Sequence, residues 1–160
     1  MQKVNQSFEY NVFASMEELT PDDHELLTLA IQQLDHAYAP YSNFHVGAAV
    51  RLSDGSTYIG SNQENASYPL CMCGERVALY NAAAYKPSVA PESLAITIRN
   101  IRMPIDKPVS PCGACRQVIS EFEFRHKSKI RIILKSDNPE VYELSSVADI
   151  LPLGFNANFL

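Results

Sequence analysis

No run in this sequence approaches the ~18 uninterrupted apolar residues that a membrane span requires, and the stretch Met1 to Tyr10 lacks the apolar core of an export signal. Both absences lead to the expectation of a cytoplasmic protein. Positive charge is scarce as well, with 13 Lys plus Arg against 18 Asp plus Glu and a formal net charge of -5. That balance gives no general attraction to phosphate polyanions or anionic membranes, so no nucleic acid and no membrane are expected as partners, and a small neutral ligand fits better. There is no internal repeat, no low-complexity tract and no linker, and 160 residues of 46% apolar content suit a single core. Only four cysteines occur, Cys71, Cys73, Cys112 and Cys115, in two close pairs. In a reducing compartment such pairs are more often metal ligands than disulfides.

The first residues, up to Thr20, show no strong period and read as an N-terminal arm, residues 1–20, ahead of one domain, residues 21–160. Thr20-Pro21-Asp22-Asp23 is a helix start: a hydroxyl cap, proline at the first helical position, and acids at the positive end of the dipole. Leu27, Ala30, Ile31, Leu34 and Tyr38 follow at helical spacing and predict one buried face, ended by Ala39-Pro40. Phe44 to Leu52 and Thr57 to Ser61 read as strands of a hairpin turning at Ser53-Asp54-Gly55-Ser56. Cys73 to Tyr85 and Cys112 to Phe124 read as helices, Leu94 to Ile101, Ile130 to Leu134 and Val141 to Leu144 as strands, with a short helix around Ser145 to Ile150. This order points to an α/β layered sheet.

The central signal pairs Cys73-Gly74-Glu75 at one helix start with Pro111-Cys112-Gly113-Ala114-Cys115 at another. Each half alone is weak, but together they are specific. Cys112 and Cys115 can turn their sulfurs toward one tetrahedral zinc, and Cys73 supplies a third ligand, which leaves one position open for water as a catalytic site requires. A cysteine at a helix start faces unpaired N–H groups that favour the thiolate. Three thiolates are a heavy load of negative charge on the metal, and Arg76 and Gln117 are placed by sequence to offset it. Glu75 stands two residues from Cys73, in reach of the open position without binding the metal, which is the place of a proton shuttle in the zinc deaminase signature.

From Tyr38 to Phe155, about three quarters of the chain, the sequence resembles the small cytidine deaminases that act on free nucleosides. The resemblance is carried by Tyr38-Ala39-Pro40-Tyr41-Ser42-Asn43-Phe44-His45-Val46-Gly47-Ala48-Ala49, Asn62-Gln63-Glu64-Asn65-Ala66, Cys73-Gly74-Glu75-Arg76, Pro111-Cys112-Gly113-Ala114-Cys115-Arg116-Gln117 and Leu151-Pro152-Leu153-Gly154-Phe155. It implies a three-layer α/β/α sandwich on a five-stranded mixed sheet, one Zn2+ per subunit, and a homotetramer with active sites shared between subunits. It also implies hydrolysis of cytidine and deoxycytidine to the uridine products and ammonia, by attack of zinc-bound hydroxide on C4 with Glu75 as shuttle. By the same resemblance Phe44 packs on the pyrimidine, the backbone at Gly74 contacts the base, and Asn62 and Glu64 bind the ribose hydroxyls. Ala66, Tyr68 and Phe155 reach toward a substrate held by another subunit. Gly74 stands where the family commonly has alanine, and Cys71 where a residue that binds no metal is expected.

Other readings compete. Cys112 and Cys115 could form a structural zinc site or a redox pair; Cys71, if it bound the metal, would close the site to water, and it is read instead as a small buried residue. His24, His36, His45 and His126 fall at no spacing that joins the cysteines and are assigned to surface or packing. The cluster Arg125-His126-Lys127-Ser128-Lys129, with Arg131 beyond, is read as a solvated turn face, and Tyr41 and Phe44 have a core reading beside the ligand one. A deaminase of polynucleotides would want a basic groove with interleaved aromatics. A deaminase of a modified cytosine antibiotic would show the same zinc centre, and a non-catalytic zinc module would have no use for Glu75.

Overall fold

The computed structural model describes residues 1–160. Helix α1 (Pro21–Gln32) begins where the sequence predicts, with the Thr20 hydroxyl accepting a hydrogen bond from the Asp23 N–H at 3.2 Å. Leu26, Leu27 and Ala30 turn inward and are fully buried. The helix does not reach Tyr38: it tightens into a 3-10 turn over Gln33–His36, and Tyr38 bridges to Gln63 instead. The chain leaves helical geometry at Ala37, which is extended, ahead of Ala39, where the following proline also disfavours a helix. Tyr38 is accordingly exposed, not part of the buried face.

Strands β2 (Phe44–Leu52) and β3 (Thr57–Ser61) pair antiparallel through the expected turn, where Gly55 takes φ 81°. A positive φ of this kind is open to glycine without a steric cost. Helix α2 (Gly74–Tyr85) leads to strand β4 (Pro91–Asn100), which pairs antiparallel with β2. Helix α3 (Gly113–His126) then crosses to β5 (Arg131–Lys135), parallel to β4, and β6 (Val141–Leu144) returns antiparallel to β5.

The sheet is mixed but has six strands, not the expected five, because Asn11–Phe13 of the arm form β1 on the outer edge of β6, giving the order β1-β6-β5-β4-β2-β3. A three-residue strand is too short to show an alternation. Its partner Tyr142 lies far along the chain, so only the long-range pairing defines it.

Alternation across the pleat divides the core between two faces. Val46, Ala48, Val50 and Leu52 of β2, with Leu94, Ile96 and Ile98 of β4, pack under Ala78, Leu79 and Ala82 of α2 and Ile119 and Phe122 of α3. Ala49, Ala95, Ile133 and Val141 meet Leu26, Leu27 and Ala30 of α1 on the opposite face. The result is an α/β/α sandwich. Small residues set the closeness of these layers: a Cβ on Gly47 would sit 2.1 Å from the Ala30 carbonyl oxygen, so α1 lies directly on β2.

Arg51 of β2 pairs with Asp22 and Glu25 on the exposed side of α1, and a buried charged tie fastens the helix to β5. Asp23, 4% exposed, accepts Arg131 Nη2 at 2.7 Å and Nη1 at 2.9 Å, and Arg131 also holds Glu143 at 2.9 Å. Burial acts to raise the Asp23 pKa, but the hydrogen bonds from Arg131 and Thr20 outweigh it and hold the carboxyl below its ordinary range. A depressed carboxyl stabilises the fold above its unfolded pKa, and that contribution is lost as pH falls through the folded value. Asp23→Asn should therefore cost about 1–3 kcal/mol in denaturant titrations at pH 7. Wild type and variant should converge as the pH is taken well below ~4; an equal gap at both pH values would remove the charge from this account.

Candidate metal and active site

Cys73 is the N-cap residue of α2 and Cys112 that of α3, and neither sulfur is used in a capping hydrogen bond. Cys115 sits in the first turn of α3 and is fully buried. Because α2 and α3 pack on the same face of the sheet, their starts converge and bring the three thiols together. The sulfurs of Cys73 and Cys112 are 4.0 Å apart, those of Cys112 and Cys115 3.4 Å, and all three lie within 4.8 Å of one another. A tetrahedral zinc with Zn–S of about 2.3 Å needs sulfurs about 3.8 Å apart, so the donor set fits that ion.

Cys71 stays outside this group. Its sulfur accepts the Asn65 N–H at 3.2 Å, within the loop that leads to α2, and it is half-buried. No histidine joins the cluster; His45 Nδ1 pairs with the Leu34 carbonyl at 3.0 Å.

The charge distribution favours a thiolate at Cys73. The Cys115 thiol beside it is the main cause, burial opposes, and Arg76 adds to the lowering, with the net effect of taking the Cys73 pKa down to about 5. Arg76 Nη2 lies 3.7 Å from the Cys73 sulfur and donates to the Cys71 carbonyl at 3.3 Å. Gln117, placed beside it by sequence, turns elsewhere: its amide donates to the Phe155 carbonyl at 2.9 Å and so anchors the C-terminal segment.

Glu75 is 4% exposed in the first turn of α2, and its Oε2 has no hydrogen-bond partner. Burial, and then the charge on Cys73, push its pKa up. Buried polar atoms are nearly always paired, so an orphaned carboxylate oxygen beside three converging sulfurs marks a place for something to bind. A cavity of about 450 Å³ opens there, with Cys73, Cys112 and Glu75 at its polar end and Phe44, Val46, Ile96 and Ile98 as its apolar wall.

The remaining residues singled out by sequence divide into two sets. Asn62 is buried and bridges the start of β2, its Oδ1 accepting the Val46 N–H and its Nδ2 donating to the Phe44 carbonyl, both at 2.8 Å. A second amide N–H remains unused. Gly74 lies against the same strand, where a Cβ would come 2.9 Å from the Val46 carbonyl oxygen. Glu64 lines a separate hollow with Tyr41, Ser42, Tyr68 and Cys71, and its carboxylate accepts the Tyr41 N–H at 2.8 Å. Ala66, Tyr68 and Phe155, in contrast, are exposed and line no part of the cavity within this chain. Sequence reasoning missed Arg116, which lines the cavity and binds the Pro111 carbonyl at 2.7 Å. It stood within the Pro111 to Gln117 motif but was given no role there.

A family model described as the cytidine and deoxycytidylate deaminase zinc-binding region matches residues 20–128. The chain belongs to that family of zinc-dependent deaminases. Zinc is the cofactor on which the family and the three-sulfur donor set agree. The chain is 40% identical over 138 residues to a cytidine deaminase of Halalkalibacterium halodurans, covering 85% of this chain and 96% of that one. It is 37% identical over 135 residues to a cytidine deaminase of Sporosarcina psychrophila, covering 84% and 92%. Among solved structures, a cytidine deaminase from Burkholderia pseudomallei superposes with a TM-score of 0.70 at 38% identity, over 86% of this chain and all of the other. One from Mycobacterium tuberculosis gives 0.64 at 28% identity, over 86% and 99%. No helix of this family member is long and apolar enough to cross a membrane.

Proposed function

We propose that this family member hydrolyses free cytidine and deoxycytidine to uridine and deoxyuridine with release of ammonia, and that Cys73, Cys112 and Cys115 hold one zinc per subunit. The observation that carries this is Glu75: buried, with one oxygen unpartnered, at the end of a cavity it shares with Cys73 and Cys112. A bound zinc supplies a Lewis acid that makes hydroxide available from water at neutral pH. Glu75 accepts the proton released there, passes it to ring N3, and so makes C4 electrophilic. Once the water oxygen has added to C4, Glu75 takes the proton of the new C4 hydroxyl and delivers it to the amine, which leaves as ammonia as the C4 carbonyl forms. A raised pKa suits that task, since the carboxyl must hold the proton between the two transfers.

Other side chains bind and orient. Phe44 offers an aromatic wall for the pyrimidine, and the backbone at Gly74 contacts the base. The spare N–H of Asn62 and the carboxylate of Glu64 take the ribose hydroxyls, while Arg76 offsets the thiolate charge. Exposed Ala66, Tyr68 and Phe155 face the substrate of a neighbouring subunit in a homotetramer, with Gln117 holding the Phe155 segment in place. Residues 21–160 act as the single deaminase domain and residues 1–20 as an added arm. A non-catalytic zinc module leaves a buried, unpaired Glu75 without a purpose.

The test is to offer the zinc-loaded protein cytidine, deoxycytidine, cytosine and a cytidylate separately and follow ammonia release. The two nucleosides should turn over fastest. Preference for cytosine or the nucleotide would overturn the substrate assignment, and turnover confined to a modified cytosine antibiotic would replace it.

A further inference from the structure

Residues 1–10 form no regular element and precede the family match, which starts at residue 20. Two of their side chains nonetheless reach the back of the active site. The rings of Phe8 and Tyr10 lie 6.2 Å apart, and Tyr10 lies 5.0 Å from the ring of Tyr142 in β6. Phe8, Tyr10 and Tyr142 wall a small apolar hollow of about 170 Å³, and Pro108 and Ser110 form its opposite side.

Ser110 also lines the active-site cavity, so this one residue borders both spaces. Its hydroxyl accepts Arg116 Nη2 at 2.6 Å, and the same guanidinium donates to the Pro111 carbonyl at 2.7 Å and the Ile150 carbonyl at 2.9 Å. Ile150 in turn lines the aromatic hollow. The segment 108–112, which ends at exposed Cys112, is thus gripped by Arg116 on the cavity side, and its Pro108 and Ser110 share the second hollow with the arm's aromatic pair. Groups at a metal site must be held by their surroundings to within a fraction of an ångström to be useful, and a loop is the least rigid place to carry one.

We propose that Phe8 and Tyr10 are positioning residues: the N-terminal arm braces the segment from Pro108 to Cys112 and so keeps the Cys112 sulfur in register with Cys73 and Cys115. The inference rests on the reading that Cys112 holds zinc. It gives the arm a task that lies outside the matched family region.

The experiment compares full-length Phe8→Ser/Tyr10→Ser with the conservative Phe8→Leu/Tyr10→Phe, reading zinc capture by a chromogenic chelator, kcat and KM for cytidine, and the thermal midpoint. In the serine variant, zinc release should quicken and kcat fall by about 3- to 10-fold each, at or below the 10–100-fold typical of groups that touch a ligand directly. KM should stay within about twofold, because uniform substrate binding is not altered. The conservative pair should restore wild-type values. Zinc release and kcat at wild-type level in the serine variant would overturn the brace, as would a lowered thermal midpoint with unaltered zinc release. Should the double variant not fold, Tyr10→Ser alone carries the same comparison. If the wild type does not turn over cytidine, the proposed activity fails, yet the zinc-release comparison still decides the brace.

Discussion

Glu75→Gln should keep about one zinc per chain and lose kcat by roughly 10³-fold or more, toward the upper end of what a positioned proton-transfer group contributes. The substitution is nearly isosteric in a site that is 4% exposed, so packing is conserved and the three sulfurs are untouched. What disappears is the ability to take up a proton and give it back. The swap conserves shape in a buried position, so the folded state should melt close to wild type. Metal analysis, thermal melts and steady-state kinetics on one preparation check all three statements. Substantial turnover in a zinc-replete variant would end the shuttle assignment.

Cys115→Ala is expected to be as damaging by a different route. Cys115 is the fully buried member of the trio, 3.4 Å from the Cys112 sulfur. Removing a ligand outright should weaken zinc by more than the ~100-fold that marks the loss of an outer partner. A ligand that binds only the folded state stabilises it by mass action, so the wild-type melting temperature should rise with free zinc. That dependence should vanish in the variant at the same zinc levels, together with activity. A variant that still melts higher with added zinc would show that the metal is held elsewhere.

The sequence read well wherever local chemistry decides structure. Phe44–Leu52, Thr57–Ser61 and Val141–Leu144 form strands over the residues read as strands, and Thr20 caps α1 as its position implied. The cysteine spacing likewise led to the cluster that the fold assembles, with Cys71 apart from it. What escaped depends on partners distant in the chain. Strand β1 exists through its pairing with β6, and Tyr38 left the helical face because the chain turns extended at Ala37 and Tyr38 bridges to Gln63. Gln117 was matched to the sulfurs by proximity in sequence, but its amide reaches the C-terminal segment at Phe155. Arg116 has no pattern of its own, since its importance lies in three acceptors that only folding gathers around it.

All three thiols lie at helix beginnings, and the leucine and isoleucine interior beneath α2 and α3 includes none of them. The scaffold can therefore be completed by apolar collapse before any ion arrives, with the ion as the last part fitted. Such a polypeptide can be made, stored and charged at a later moment, so the cell's supply of free metal, and not the rate of synthesis, would govern how much of it is competent.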